Sequence, residues 1–314
     1  MAAQRNIITL FGGTGFLGRH IVQALAKTGA QIRIATRSPA SAYFLKPCGD
    51  VGQITPVSCD VHDAASVARA LSGSTHVINL IGILFERGRK STFDNLHHLA
   101  AQRIAHAAAE AGVRQLIHIS SIGAAPQAAS NYARSKAEGE AAVRRAFADA
   151  IILRPSLVFG PEDDFFNRFA RMARLSPLLP LVMGGKTRFQ PVYVGDIAQA
   201  VLKLVSCGEI QKHAGKTFEL AGPQVMTFRA LLELMLAVTN RQRRFVPLPA
   251  PLAKAVGVFG ALCPTPPLTV DQVRSLSEDN VASGALPGLA DLAVAPTAMG
   301  GILPLYLGQY RKTA

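Results

Sequence analysis

The sequence predicts an α/β chain whose first half is a doubly wound parallel sheet and whose second half adds a smaller, mostly helical cap. Three observations carry this. β-Branched, apolar runs alternate with helical periodicity from residue 7 to residue 153. A glycine-rich turn, Gly12-Gly13-Thr14-Gly15-Phe16-Leu17-Gly18, joins the first run to the first helix. After Arg154 the rhythm changes, with Pro155, Pro161, Pro177, Pro180 and Pro191 punctuating a mixed region.

Taken in order, Ile7–Phe11 reads as a buried strand, and residues 19–27 have helical spacing through Ile21, Val22, Leu25 and Ala26. Gly29 closes that helix, and Gln31–Thr36 is the next strand. The pattern repeats with a strand near 54–57, a helix over 63–71, a strand at 76–81 and a long helix over 94–111. A strand at 115–120, a helix over 132–147 and a strand at 151–153 complete it. Strands alternating with helices imply a parallel sheet covered on both faces. Residues 223–314 read as mostly helical, clearest over 228–238, with proline interruptions at 247–251 and 264–267. The organisation expected is a Rossmann-type dinucleotide-binding domain over 1–160 and a smaller C-terminal substrate or partner domain over 161–314. Residues 188–222 are expected to return to the sheet, leaving a cleft between the two parts.

Composition narrows the function classes. Of 314 residues, 49% are hydrophobic and 17% charged, which excludes a disordered chain. Cys48, Cys59, Cys207 and Cys263 are scattered without a Cys-x-x-Cys pair, so neither a disulfide scaffold nor a cysteine zinc site is expected. The net charge of +13 is shared almost evenly between the halves. An anionic membrane surface or an acidic partner would suit it. Nucleic acid is not an expected partner, because there is no zinc-finger spacing, no basic stretch interleaved with aromatics and no Trp. The most apolar stretch, residues 245–263, is too broken by Pro247, Pro249, Pro251 and Lys254 to span a membrane. The first residues show no leader-like apolar plateau, and together with the free thiols this reads as a cytoplasmic protein.

The glycine turn has specific physics. Gly12 permits the tight bend, Gly15 lets backbone N–H groups approach a pyrophosphate, and Gly18 lets helix and sheet pack closely. The backbone of Thr14, Phe16 and Leu17 completes the cradle at the positive end of a helix. At the end of the second strand stands Arg37, with no acidic residue in Ala35-Thr36-Arg37-Ser38. A cation there suits a 2′-phosphate, so NADP(H) is expected over NAD(H), with Arg19 able to approach from the helix. Asp60 and Val61, after the third strand, are candidate adenine contacts, and Leu80 and Gly82 close the fourth strand beside the cofactor's middle.

Tyr132 and Lys136 stand at i and i+4, on one face of a helix. An ammonium beside a phenol favours the phenolate, and such a tyrosine can exchange a proton with a substrate oxygen while hydride moves at nicotinamide. Ser120 or Ser121, at the end of the fifth strand, can bond the same oxygen.

Gly12-x-x-Gly15-x-x-Gly18, Asn79-Leu80-Ile81-Gly82, Ser120-Ser121, Tyr132-x-x-x-Lys136 and Arg154-Pro155-Ser156 together resemble the short-chain dehydrogenase/reductase superfamily in its extended or atypical branch. The resemblance implies Tyr132 as acid/base, Lys136 on the nicotinamide ribose and Ser121 as the oxygen-orienting hydroxyl. It also implies that the segment 154–160, with Pro155 and Val158, runs beside the nicotinamide. A narrower likeness covers most of the chain. Residues 11–19, 79–85, 132–140, 154–163, 190–196 and 302–306 look like the nucleotide-binding accessory subunit of respiratory complex I and its bacterial relatives. It implies a nucleotide held beside a membrane arm, with complex I subunits as partners. The lack of an N-terminal targeting extension suggests a bacterial member of that group, expected to be cytoplasmic, with a peripheral place at the inner face of the membrane as the further option. The alternative is an active oxidoreductase reducing a hydrophobic carbonyl or quinone, because an intact Ser121–Tyr132–Lys136 set serves binding and turnover alike.

Among other features, Arg168, Arg171 and Arg174 lie opposite Phe166, Phe169 and Met172, and Arg241-Gln242-Arg243-Arg244 precedes the apolar run. Both suit an ordinary solvated face or a lipid surface. His97 reads as a packing or surface residue, and no histidine has metal-ligand spacing.

Overall fold

The computed structural model describes residues 6–206, 210–260 and 268–312. Cys207, Cys263, the first five residues, the end of the 245–263 run and the prolines at 264–267 lie outside the described residues. In chain order the elements begin β1 (Ile7–Phe11), α1 (Phe16–Ala26), β2 (Gln31–Thr36), β3 (Ile54–Ser58), α2 (Ala64–Leu71) and β4 (His76–Asn79). A π-helical turn (Asp94–Leu99) then runs into α3 (Ala100–Glu110), followed by β5 (Gln115–Ile119), α4 (Asn131–Ala146) and β6 (Ile151–Pro155). Next come β7 (Val158–Phe159), α5 (Asp164–Leu175), β8 (Leu178–Val182), β9 (Arg188–Phe189), β10 (Val192–Tyr193) and α6 (Val194–Val205). The remainder is α7 (Ile210–His213), β11 (Thr217–Leu220), β12 (Met226–Thr227), α8 (Phe228–Val238), β13 (Arg244–Leu248), α9 (Ala250–Gly260), α10 (Val270–Ser275) and α11 (Met299–Leu307).

Seven strands form one parallel sheet in the order β11-β6-β5-β4-β1-β2-β3. Alternate residues face opposite sides. Ile8, Leu10, Ile34, Ile78 and Ile117 pack with α1 and α6, while Phe11, Val77 and Leu116 pack with α2, α3 and α4. A third apolar cluster gathers Phe159 and Phe166 with Phe228, Met235, Leu303 and Tyr306. The sheet reverses its winding between β1 and β4, and such a switch point opens a crevice at the strands' carboxyl ends.

Three elements differ from expectation. The strand expected over 76–81 stops at Asn79, because the Asn79 side chain turns back to accept the Ile81 amide. The helix expected over 94–111 begins as a π turn, in which the Ala100 amide reaches back five residues to Asn95. Widened turns of this kind are rare and concentrate at functional sites. The apolar run after Arg243 starts as β13, paired in parallel with β8.

Candidate functional site

The crevice is built by the turns at the carboxyl ends of the strands. After β1, Gly12 has φ +80°, and a Cβ there would stand 3.1 Å from the Leu80 carbonyl carbon. That spacing holds the turn hard against the end of β4. A Cβ on Gly18 would meet Gly12 O at 2.5 Å, so α1 can begin this close to the sheet only with glycine at this position. A Cβ on Gly15 would contact only Gly12 O, at 3.4 Å, and no side chain caps the N-terminus of α1. The amides of Phe16, Leu17 and Gly18 therefore form a donor set suited to a diphosphate. Thr14 and Phe16 are half-buried on the turn's rim, and the Phe16 ring lies 3.3 Å from where a Gly160 Cβ would be. Leu17 packs into the core below.

Beyond β2, Arg37 is exposed, and among the described residues it has no hydrogen bond or ion pair. Arg19 is differently placed. Its guanidinium lies 5.3 Å over the Phe44 ring and 3.6 Å from Glu162, so it ties the glycine helix to the chain after β7. Glu162 also bonds His20 at 2.9 Å. After β3, the Asp60 carboxylate accepts the His62 amide within its own turn and Val61 packs against the core.

Tyr132 and Lys136 sit in the first turns of α4, as the i, i+4 spacing requires. Lys136 is buried, and its Nζ donates to the Ile119 carbonyl at 3.1 Å and lies 3.2 Å from where a Gly82 Cβ would be. Burial pulls its ammonium down to about 8, against a smaller opposing pull from Glu140. Glu140 is committed elsewhere, to a two-pronged pair with Arg154 at 2.6 and 2.8 Å. Tyr132 is half-buried, and loss of hydration pushes its phenol up from the usual value. The Ser121 hydroxyl opposes that shift without closing a bond of ordinary geometry. Ser120 Oγ and Ser121 Oγ are both buried without a partner. Two unpartnered hydroxyls and an ammonium with one bonded proton are unusual beside each other unless a polar ligand completes them. Pro155 ends β6, its carbonyl accepting the Ile122 amide, and Val158 pairs with Val192 at the crevice wall.

Several site residues were not legible in the sequence. His97, read as a packing or surface residue, is buried on the π turn, bonded to Ser135 Oγ at 2.9 Å and edge-on to the Tyr132 ring at 5.4 Å. His118 on β5 is also buried. Burial and then the Lys136 charge push His97 down to about 2 and His118 to about 3. From far along the chain, Asp271 accepts the Asn131 and Tyr132 amides at 2.7 and 2.9 Å, capping α4 beside the site. Asp94, His98 and Glu138 bring ligand atoms within 4.8 Å of one another, which linear spacing conceals because Glu138 comes from α4. They are solvent-facing, and His98 Nδ1 is bonded to Asp94 at 2.9 Å.

A glycine cradle at a switch point, followed by a Ser, Tyr and Lys set, directs comparison with nicotinamide-dependent proteins. The model of the NAD dependent epimerase/dehydratase family matches residues 8–220. The chain belongs to this family. Within it, the chain is similar to two curated mitochondrial proteins named NADH dehydrogenase [ubiquinone] 1 alpha subcomplex subunit 9. The Arabidopsis thaliana protein is 37% identical over 98% of this chain and 78% of its own length. The Mus musculus protein is 39% identical over 93% of this chain and 77% of its own length. Among solved structures, an NADPH-dependent quinone oxidoreductase from Escherichia coli, complexed with NADPH, superposes with TM-score 0.75. It covers 96% of this chain and 99% of its own at 21% identity, a likeness that shows the fold alone. The resemblance to the atypical branch and to the complex I accessory subunit holds. The cytoplasmic, bacterial expectation is overturned by these relatives, which are mitochondrial by name. The start of a chain and its free thiols do not assign a compartment.

Proposed function

We propose that this protein holds a nicotinamide dinucleotide, NADP(H) in preference to NAD(H), as a relative of the complex I accessory subunit. The observation that carries the reading is the row of buried or open donors along the crevice. It runs from the uncapped start of α1 to Ser120, Ser121 and the Nζ of Lys136. The α1 amides would take the diphosphate, Lys136 the nicotinamide ribose, and Arg37 a 2′-phosphate. Residues 1–160 would carry the nucleotide. Residues 161–314 would face partners, meaning complex I subunits and an anionic membrane surface. Leu175, Leu178, Val246 and Leu252 are exposed there, with Leu175 next to Arg174 in the chain and Leu178 paired with Arg244.

A ligand that binds only the folded state adds about 2.7 kcal/mol at a hundredfold excess over its dissociation constant. NADPH should therefore raise the melting temperature more than NADH, and Arg37→Ala should narrow the gap. A wild type stabilised more by NADH would remove the assignment of Arg37.

The second reading, reduction of a hydrophobic carbonyl or quinone, is favoured by the state of Tyr132. A phenol is protonated at neutral pH and burial shifts this one further that way, so it carries a proton to donate. A bound reduced nicotinamide would supply hydride to the carbonyl carbon. The chain's own part is to pass the Tyr132 Oη proton to the carbonyl oxygen, with Ser121 orienting that oxygen. Equal turnover in wild type and Tyr132→Phe would exclude this role.

A further inference from the structure

His97 lies outside every motif that points to the nucleotide, yet its polar contacts converge on the site. The Ile83 amide donates to its Nε2 at 3.0 Å, which fixes the proton of the neutral ring on Nδ1. That Nδ1–H donates to Ser135 Oγ at 2.9 Å, and Ser135 has one proton, which goes to the Tyr132 carbonyl at 2.8 Å. The chain of bonds is directional and has one solution: Ile83 N–H, His97, Ser135, Tyr132 C=O. Around it, Phe93 stacks on the imidazole at 5.3 Å and meets the Tyr132 ring edge-on at 5.9 Å. The charged Lys136 on α4 opposes a positive His97, and His118 on β5 would do the same if it were protonated. The π turn seats the ring here, since the His97 carbonyl occupies the space that a Cβ on Gly139 would take.

We propose that His97 is a positioning residue that joins the backbone after β4 to the Tyr132 helix, so that the Gly82–Ile83 wall and the Tyr132 phenol are set together. The proposal rests on the dinucleotide reading for its functional meaning. Through Nε2 the residue fixes the wall along which the nicotinamide half would lie; through Nδ1 and Ser135 it fixes Tyr132.

Asparagine and glutamine separate the two arms, because Asn places an amide nitrogen near the Nδ1 position and Gln places an amide oxygen near Nε2. The experiment measures two quantities on the full chain. One is the Tyr132 phenol titration in the free protein, by ultraviolet difference against Tyr132→Phe, since there are five tyrosines. The other is NADPH affinity by calorimetry at neutral pH. His97→Asn should keep the phenol titration and weaken NADPH by about tenfold, because the Gly82–Ile83 wall loses the bond that fixes it and must be ordered on binding. His97→Gln should keep most affinity and move the phenol's titration by about half a pH unit or more. Ser135→Ala should reproduce the phenol shift alone. If the two His97 variants lose both properties equally, or neither, the proposal is wrong and His97 is packing. If wild type binds neither coenzyme, the dinucleotide reading falls, while the phenol comparison still decides whether His97 positions Tyr132.

Discussion

Lys136 offers a test of the site's electrostatics that needs no ligand. It is 3% exposed, and its pKa lies at about 8 against 10.5 for a free lysine. The first cause is lost hydration, and Glu140 repays little of it because that carboxylate is already gripped by Arg154. Between pH 8 and 10.5 the unfolded chain keeps a proton that the folded chain has released, so stability rises with pH across that window. Below pH 8 both states are charged, and the folded state bears the whole burden of the buried ammonium. Integrated from about pH 7 to about pH 10, the gain is on the order of 2–3 kcal/mol. The perturbation is Lys136→Met, which fills similar volume without charge. Urea unfolding of both proteins at four pH values from about 7 to about 10 gives the difference curve, in which the titrations of all other groups largely cancel. The stability of wild type relative to the variant should climb by that amount, steepening above pH 8. A flat difference, or one that falls with pH, would mean that Lys136 is solvated or ion-paired, and the account of the site would fail.

Three further outcomes follow from contacts around the same helix. Gly139→Ala should destabilise by at least the roughly 1–3 kcal/mol usual for overpacking, since the added methyl meets a backbone carbonyl; chemical denaturation checks this. Glu140→Gln should cost about 3 kcal/mol or more in the same assay, because it leaves the half-buried Arg154 guanidinium without its carboxylate. Asp271→Ala removes the acceptor of two amides at the start of α4 and should cost about 1 kcal/mol. Hydrogen exchange should quicken at Asn131 and Tyr132 and stay unchanged in β1.

The features legible in advance were local. The strand of Ile7–Phe11 and the glycine turn lie side by side in the chain, so their periods and their freedom at φ reveal them directly. Tyr132 and Lys136 are also legible, because an i, i+4 pair on a helix needs no tertiary information. The supporting residues depend on the fold. His97 looked like a packing or surface residue because its partner Ser135 lies 38 residues away, and only a widened turn brings the two together. Asp271 reaches Asn131 across 140 residues. Pro180 and Pro247 signalled breaks, yet both lie in β8 and β13, where each strand pairs along one edge and the missing N–H can point away. The basic tract before β13 looked like a single charged patch, but Arg243 spends its guanidinium on the carbonyls of Ala173 and Gln242, and Arg241 on that of Tyr310.

These dispersed supports share a physical logic. Among the described residues, the crevice holds one buried cation, Lys136, flanked by two histidines that lost hydration keeps neutral, and the neighbouring carboxylate is held by Arg154. An isolated protein gains nothing from such an arrangement, since each feature raises the cost of the ammonium. A ligand presenting ribose hydroxyls to Nζ and to the Ser120 and Ser121 hydroxyls would convert those unmet groups into hydrogen bonds in a water-poor site, where they are strongest. The same environment that raises the Tyr132 phenol makes it a poor base at neutral pH. Holding a dinucleotide therefore makes full use of the site as it stands, whereas oxidation of an alcohol would require the ligand itself to change the charge around Tyr132.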